Sequence, residues 1–510
     1  MNVAEQIQRL NPTISRLLAL SGSPRLSVGV LHCGAVVHTA HFGRHDVNHP
    51  TPPNDDTIYH IVSLVKLLTA SSIAWLVHDG TLEWDTPIRD YLPEFGKRTD
   101  EIGQRATVRD LLSMRTGIAV SHASFGLQLG ESLLARSETV RTACSLNAVA
   151  PFREQFIYSQ WNYGLITDVV EEVTGNSFGT FVERTLLGRL KMDRTIFDTI
   201  QNENRGRNIS KAHAVRNNGT ACTIIEPGWT DESGFAGAGG CKASLHDLLR
   251  MYQSFLSACT HQEKNGVDYT PGSPWAHTRT ILEPHVRIGS SDINNLSYCL
   301  GLYRSKLPAN LSVASLNQQM LGAARVPIPQ FGLNNGDLKV YHHTGAVPGF
   351  HASMFMVPST ESAVVILTNS IPLMDPTDFA AQLILSVLIG ETPSEHKYLE
   401  LAEIARPLQV VGYKRLAAAL DKKKTGIPPP FALSKTNYML LPYDGNTFYW
   451  KADREEELCE KAMWPFLSPD HHKITFAAST IGVIDSMTWF HDPLGSPEIF
   501  RKLCSDRAKM

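Results

Sequence analysis

Tyr59-His60-Ile61-Val62-Ser63-Leu64-Val65-Lys66 decides the reading of this chain. A serine and a lysine three residues apart, at the start of an apolar run, share one face of a helix and become neighbours across a single turn. The run continues through Leu67, Leu68, Ala70, Ile73, Ala74 and Leu76 with no proline or glycine before Gly80, which predicts a buried helix. Ser63 is then expected in its first turn, where free backbone N–H groups and the helix dipole favour an oxyanion. Lys66, desolvated by the apolar residues around it, would lose part of its preference for the charged form and could take the serine proton.

Ser-x-x-Lys alone is weak, because a chain of this length contains about one or two such matches by accident. Ser394-Glu395-His396-Lys397 is one of them, in a polar stretch beside Pro393. The reading therefore rests on what else the chain carries.

Working outward, the 510 residues are 43% hydrophobic and 19% charged, enough for a large core and two or three domains. A net charge of −3, with 47 basic residues and no basic stripe, argues against a nucleic acid or an anionic membrane surface as partner. Met1-Asn2-Val3-Ala4-Glu5-Gln6 lacks the order of a secretory signal, and no apolar run reaches the roughly 20 residues that span a bilayer. The expectation is a cytoplasmic protein. Its eight cysteines are scattered singly and are expected as free thiols.

Before the Ser63 stretch, residues 4–20 show helical spacing, and Ser27–Ala40 reads as two strands about Cys33-Gly34. His41, His45 and His49 are spaced by four, but Gly43 and Pro50 oppose a helix there, so a solvated loop is expected in place of a metal site. After it, Thr107–Leu112 opens a helix that Gly117 is expected to close, and 119–155 carry no chemical signature.

The second signal is Tyr158-Ser159-Gln160-Trp161-Asn162, just before an amphipathic run ending at Gly175, so that the Tyr158 hydroxyl could be presented to a cleft. Gly175-Asn176-Ser177-Phe178-Gly179 has the form of a nucleophile elbow, yet a helix precedes it where a strand is required. Gly234–Gly240 follows no strand and lacks the Lys-Ser/Thr ending of a phosphate loop, which leaves close backbone approach as its role. Ser244 is placed to cap the helix that follows.

The third signal is His342-His343-Thr344-Gly345-Ala346, ahead of two strand-like runs at 352–357 and 362–369. Gly345 would let a substrate lie against the strand backbone. Residues 375–390 read as a last helix. Lys422-Lys423-Lys424 and Pro428-Pro429-Pro430 then mark a linker, and short β-like runs follow from Tyr438. The division expected is 1–390, a linker at 391–435, and a β-rich unit at 436–510.

With these signals placed, the chain resembles the serine β-lactamase and penicillin-binding-protein superfamily, in particular its class C-like esterase and D-aminopeptidase branch. The matches are Ser63 to Lys66, Tyr158 to Gln160 for Tyr-x-Asn, and His343-Thr344-Gly345 for Lys/His-x-Gly, supported by Asp79-Gly80-Thr81-Leu82 and Gly349-Phe350. The resemblance covers about residues 5–390, and the tail is similar to a β-domain of fungal members. It implies an α+β, β-lactamase/transpeptidase-like fold: an antiparallel sheet flanked by helices, an all-helical lobe, and a small C-terminal β-rich domain. It also implies attack by Ser63 on a small-molecule acyl carbonyl, Lys66 and Tyr158 sharing the base role, and an oxyanion held by the N–H groups of Ser63 and Ala346. Gln160, Asn162, His343, Thr344, Gly345 and Ala346 would line the substrate, with no metal and no cofactor.

Two departures bear on substrate. Gln160 stands where the family has Asn, with Asn162 nearby to share that role. His343 stands where drug-hydrolysing members have Lys, which removes a fixed cation for a substrate carboxylate. Both point to an uncharged ester or lactone over penicillins. Hydrolysis is the first expectation, the alternatives being acyl transfer to a hydroxylated metabolite in secondary metabolism and a catalytically silent binding protein.

Overall fold

The protein is described here from a computed structural model, which describes residues 2–44, 47–48, 50–120, 130, 135–197, 208–421, 430–432, 437–478, 484–492 and 494–501. Eight strands form its central antiparallel sheet: β1 Arg25–His32, β2 Ala35–Gly43, β3 Val286–Arg287, β4 Leu296–Tyr298, β5 Tyr303–Lys306, β6 Lys339–Val347, β7 Phe350–Val357 and β8 Ser362–Thr368. Their order is β2-β1-β8-β7-β6-β5-β4-β3, so the two ends of the segment 25–368 meet where β1 pairs with β8.

Helices cover both faces, which is why β7 and β8 are buried along their whole length and read as nearly continuous apolar runs. On one face lie the helices Val3–Arg9, Asn11–Ser21 and Pro376–Leu388, enclosing a core of Val28, Phe355, Val364, Ile366 and their neighbours. The Leu245–Asn265 helix lies on the other, and comes close enough that a Cβ at Gly29 would be 2.9 Å from both Leu245 and Leu249. Between β2 and β3 the chain builds a helical lobe around Lys66–His78 and Gln160–Thr174. The first of these is apolar on every side and accordingly buried around nearly its whole circumference.

The local expectations fare unevenly. The helix–hairpin opening, the left-handed Gly175 cap, and Ser244 accepting from the Asp247 N–H are as expected. Ser63 is not in the first turn of the α-helix. It lies one turn earlier, in the 3-10 turn Val62–Val65, and the α-helix begins at Lys66. The helix opened by Thr107 ends at Leu112, well before Gly117, because Met114 turns into the left-handed region at a φ of +57°. His41 belongs to β2 and not to a loop, bonded to Ser27 and Asp55, while His45 and His49 lie outside the described residues.

The stretch expected as a linker is largely helical, over Glu395–Ala405 and Leu408–Leu420. Tyr398, Leu401, Ala402 and Ala405 recur at helical spacing and are buried, the Tyr398 hydroxyl donates to Gln382 at 2.8 Å, and Thr13 bonds Glu395. The lysine run and the first prolines that suggested a linker lie outside the described residues. A separate six-stranded antiparallel meander follows, from Pro430–Ala432 through Asn437–Asp444, Thr447–Trp450, Lys473–Ala478 and Ile484–Trp489 to Glu498–Arg501. Among the described residues no helix is long and apolar enough to cross a membrane.

Candidate active site

The site is built on a strained turn. The short strand Ile58–His60 pairs antiparallel with Lys242–Ser244, and the chain then reverses through Val62, whose φ is +49°. A β-branched residue in that left-handed region costs about 1–3 kcal/mol and persists only when its surroundings hold it. Here they do: Val62 is buried, its N–H donates to His60 Nδ1 at 3.3 Å, and a Cβ at Gly345 would lie 3.2 Å from its own Cβ. The turn leaves Ser63 next in line, with 5% of its surface open to solvent.

Two groups converge on the Ser63 hydroxyl. Lys66 Nζ lies 3.0 Å from Oγ, and the Tyr158 hydroxyl donates to the same atom at 2.9 Å. Lys66 is fully buried, and desolvation holds its amine well below the ordinary lysine range. The Ala238 carbonyl accepts from Nζ at 2.6 Å, and the rings of Tyr163 and Tyr158 lie 5.0 and 5.2 Å from it, all of which favour the charged form. Burial prevails over them. Tyr158 is displaced the other way: burial raises its phenol above the usual range, against the opposing bonds to Ser63 and Gln160.

The glycine-dense segment supplies the Lys66 acceptor. Its short helix Ala236–Gly239 aims the Ala238 carbonyl at Nζ and the Gly237 carbonyl at the Thr69 hydroxyl, 2.7 Å away. A Cβ at Gly239 would fall 2.5 Å from the Trp229 ring, so this approach needs glycine there. Close approach was legible in the sequence; service to the lysine was not.

Opposite Ser63 runs β6. His343 is buried and its imidazole is lowered to about 3, by burial first and by the neighbouring Lys66 charge second. Its Nδ1 is 2.7 Å from the Thr344 carbonyl, which can only accept, so that nitrogen carries the proton and Nε2 accepts from the Tyr298 hydroxyl at 3.1 Å. Thr344 donates to the Ala314 carbonyl at 3.0 Å, and Ala346 is exposed on the strand. Tyr303 stacks on Tyr158 with 6.5 Å between centroids, and Phe156 packs on Tyr298 at 5.0 Å. Tyr298 and Tyr303 were missed in the sequence. The signal that could have found them is two tyrosines flanking Gly301 in a strand-turn-strand ahead of β6, with Gly301 itself lying against the Lys66 carbonyl.

Gln160 and Asn162 part company. Gln160 opens the Gln160–Thr174 helix beside Tyr158, and its Oε1 is buried without a hydrogen-bond partner. Asn162 is fully buried elsewhere, accepting from Thr116 at 2.7 Å and directing its amide at Met114 Sδ. It holds the 114–116 loop and does not line the cleft. The remaining singled-out groups stand apart from Ser63. Ser177 caps the next helix, Lys397 pairs with Glu400, and His342 bonds Ser305 and stacks between Tyr303 and Phe355. Among the described residues no three His, Cys, Asp or Glu side chains gather as metal ligands.

Comparison with known proteins covers most of the chain. Residues 10–389 match the family described as Beta-lactamase. The chain belongs to the Beta-lactamase family. It is 22% identical over 391 residues to Unguisins hydrolase of Aspergillus violaceofuscus, covering 71% of this chain and 61% of that protein. It is 24% identical over 364 residues to Protein flp of Staphylococcus aureus, covering 71% and 62%, and 24% identical to the putative penicillin-binding protein PbpX of Bacillus subtilis, covering 53% and 65%. The matches thus span less than two thirds of these relatives' own length. A penicillin-binding protein homologue from Pyrococcus abyssi, solved as an octamer, superposes with a TM-score of 0.60 at 19% identity, covering 96% of this chain and 97% of that one. At that identity the likeness concerns the fold of this Beta-lactamase family member.

Proposed function

We propose that this chain is a serine hydrolase that forms an acyl-enzyme at Ser63 on an uncharged small-molecule ester, lactone or amide. One observation carries the reading: Ser63 Oγ meets Lys66 Nζ and the Tyr158 hydroxyl at once, at 3.0 and 2.9 Å, with the lysine fully buried. The opposite displacements of the two groups divide their work. Lys66, easily neutral, takes the Ser63 proton as the hydroxyl attacks the carbonyl carbon. Tyr158, kept protonated, passes its proton to the leaving group and regains one from the Lys66 ammonium, which leaves the lysine neutral again.

The negative oxygen of the tetrahedral intermediate is received by the N–H groups of Ser63 and Ala346, from the start of the 3-10 turn and from β6. The leaving group departs with its proton, and water, deprotonated by the same lysine, releases the acid. His343 is a neutral wall residue here and offers no cation to a substrate carboxylate; with Tyr158, Tyr298, Tyr303 and Phe156 it favours an uncharged, apolar acyl group. The relative named as a hydrolase of unguisins supports hydrolysis as the outcome.

The test is labelling with a serine-directed fluorophosphonate alongside turnover of a short-chain p-nitrophenyl ester. One adduct per chain and release of nitrophenol are expected in the wild type and neither in Ser63→Ala. An adduct that persists in Ser63→Ala would place the nucleophile elsewhere.

A further inference from the structure

Cys222 and Cys459 are separated by more than two hundred residues of chain, yet the strand His213–Val215 that pairs with the Cys222 strand touches the turn Glu456–Glu460 that holds Cys459, and the two thiols interact. Cys222 lies in the two-stranded hairpin His213–Val215/Ala221–Thr223, opposite Ala214. The residue just before that hairpin packs on the turn joining β6 to β7: a Cβ at Gly349 there would be 2.3 Å from the Ala212 Cβ. Cys459 belongs to the turn Glu456–Glu460 near the start of the C-terminal unit.

The two pieces are tied together by hydrogen bonds close to both cysteines. Arg454, 2% exposed, reaches across to donate to the Val215 carbonyl at 2.8 Å and to Asn217 Oδ1 at 3.1 Å, and the Asn217 N–H donates to Glu455 at 2.8 Å. Both thiols are half-buried, whereas Cys241, Cys259 and Cys299 are closed in the core and exposed Cys33 lies on the far hairpin.

We propose that Cys222 and Cys459 form a redox-modification site, at which hydrogen peroxide oxidises the pair to a reversible disulfide that staples the C-terminal unit to the hairpin beside the β6–β7 turn. Cys222 is the sulfur that reacts first. The interaction with Cys459 and the Arg216 charge favour its thiolate, while the same interaction and burial keep Cys459 protonated. The Cys222 thiolate attacks one peroxide oxygen, the O–O bond breaks, and hydroxide leaves a sulfenic acid. The Cys459 sulfur then attacks the Cys222 sulfur, forming the S–S bond as the S–O bond breaks, and its proton leaves with the departing hydroxide as water. Two thiols are oxidised and one peroxide is reduced to two waters; a thiol reductant reverses the step by exchange.

The test uses the full chain, reduced and then exposed to a few equivalents of hydrogen peroxide. Intact mass should fall by two hydrogen masses, peptide mapping without reductant should recover a peptide joining Cys222 to Cys459, and dithiothreitol should undo both. Closing so long a loop should raise Tm by several degrees, and Cys222→Ser and Cys459→Ser should each abolish the shift while melting like the reduced wild type. Peroxide that oxidises Cys33 but leaves Cys222 and Cys459 as separate thiols or separate sulfinic acids would overturn the proposal. So would a joined peptide that forms without any change in Tm, since the bridge would then staple nothing.

Discussion

A Cβ at Gly345 would lie 2.5 Å from the backbone oxygen of Ile61, so the substrate strand and the turn that presents Ser63 touch without room for one methyl group. The distance across the cleft is set by that contact. Gly345→Ala is expected to push β6 off the turn and move the Ala346 N–H relative to Ser63. Ester turnover should fall ~100-fold or more, as a misplacement near 1 Å does, with a stability loss of about 1–3 kcal/mol. Steady-state kinetics and urea unfolding check the two separately.

The pH dependence follows from Lys66. As a base kept below its ordinary value of 10.5 by burial, it must be neutral to act, so kcat/KM should rise with pH to a plateau reached below that value. His343, lowered to about 3, stays neutral throughout the working range. His343→Gln should therefore change the height of the profile and not its midpoint.

Stability should carry the same signature with a definite sign. Between the folded and unfolded values of the Lys66 amine, the unfolded chain binds more protons, so wild-type stability falls as pH is lowered through that window and levels off beneath it. Lys66→Met removes this dependence. The Tm of the variant relative to wild type should climb as pH falls from about 10, while its activity is lost. A constant offset at every pH would show that the amine is not displaced.

Gln160 and Asn162 should separate in their effects. Asn162→Ala strips the buried partner from the Thr116 hydroxyl and is expected to cost about 1–3 kcal/mol of stability with KM nearly unchanged. Gln160→Ala should leave the melting curve in place and lower kcat, since its carbonyl is buried at the cleft with no partner in the protein. Thermal melts set beside kcat and KM make the comparison.

Much of the site was legible because its chemistry is local. Ser63 and Lys66 share one turn, Tyr158 stands just before a helix, and β6 announces itself by a glycine ahead of two apolar runs. Val62 was illegible, since its φ of +49° is held by packing against Gly345 of β6 together with the His60 side chain, and a β-branched residue gives no local sign of it. Asn162 could have been set aside earlier: two residues apart on a helix are turned about 200° from one another, so it and Gln160 cannot both face the cleft. The helices in 395–420 were hidden by the lysine and proline runs after them, although Tyr398, Leu401, Ala402 and Ala405 carry the helical spacing that buries them.

The central claim is a covalent bond to Ser63, and acid-quenched mass spectrometry during turnover of an activated ester tests it most directly. Mixing the protein with excess p-nitrophenyl acetate and quenching within the first turnover should show a single added acetyl group, mapped to the peptide carrying Ser63. It should decay as acetate appears and be absent from Ser63→Ala. Ester hydrolysis at full rate with no acyl group on Ser63 at any time would contradict the account.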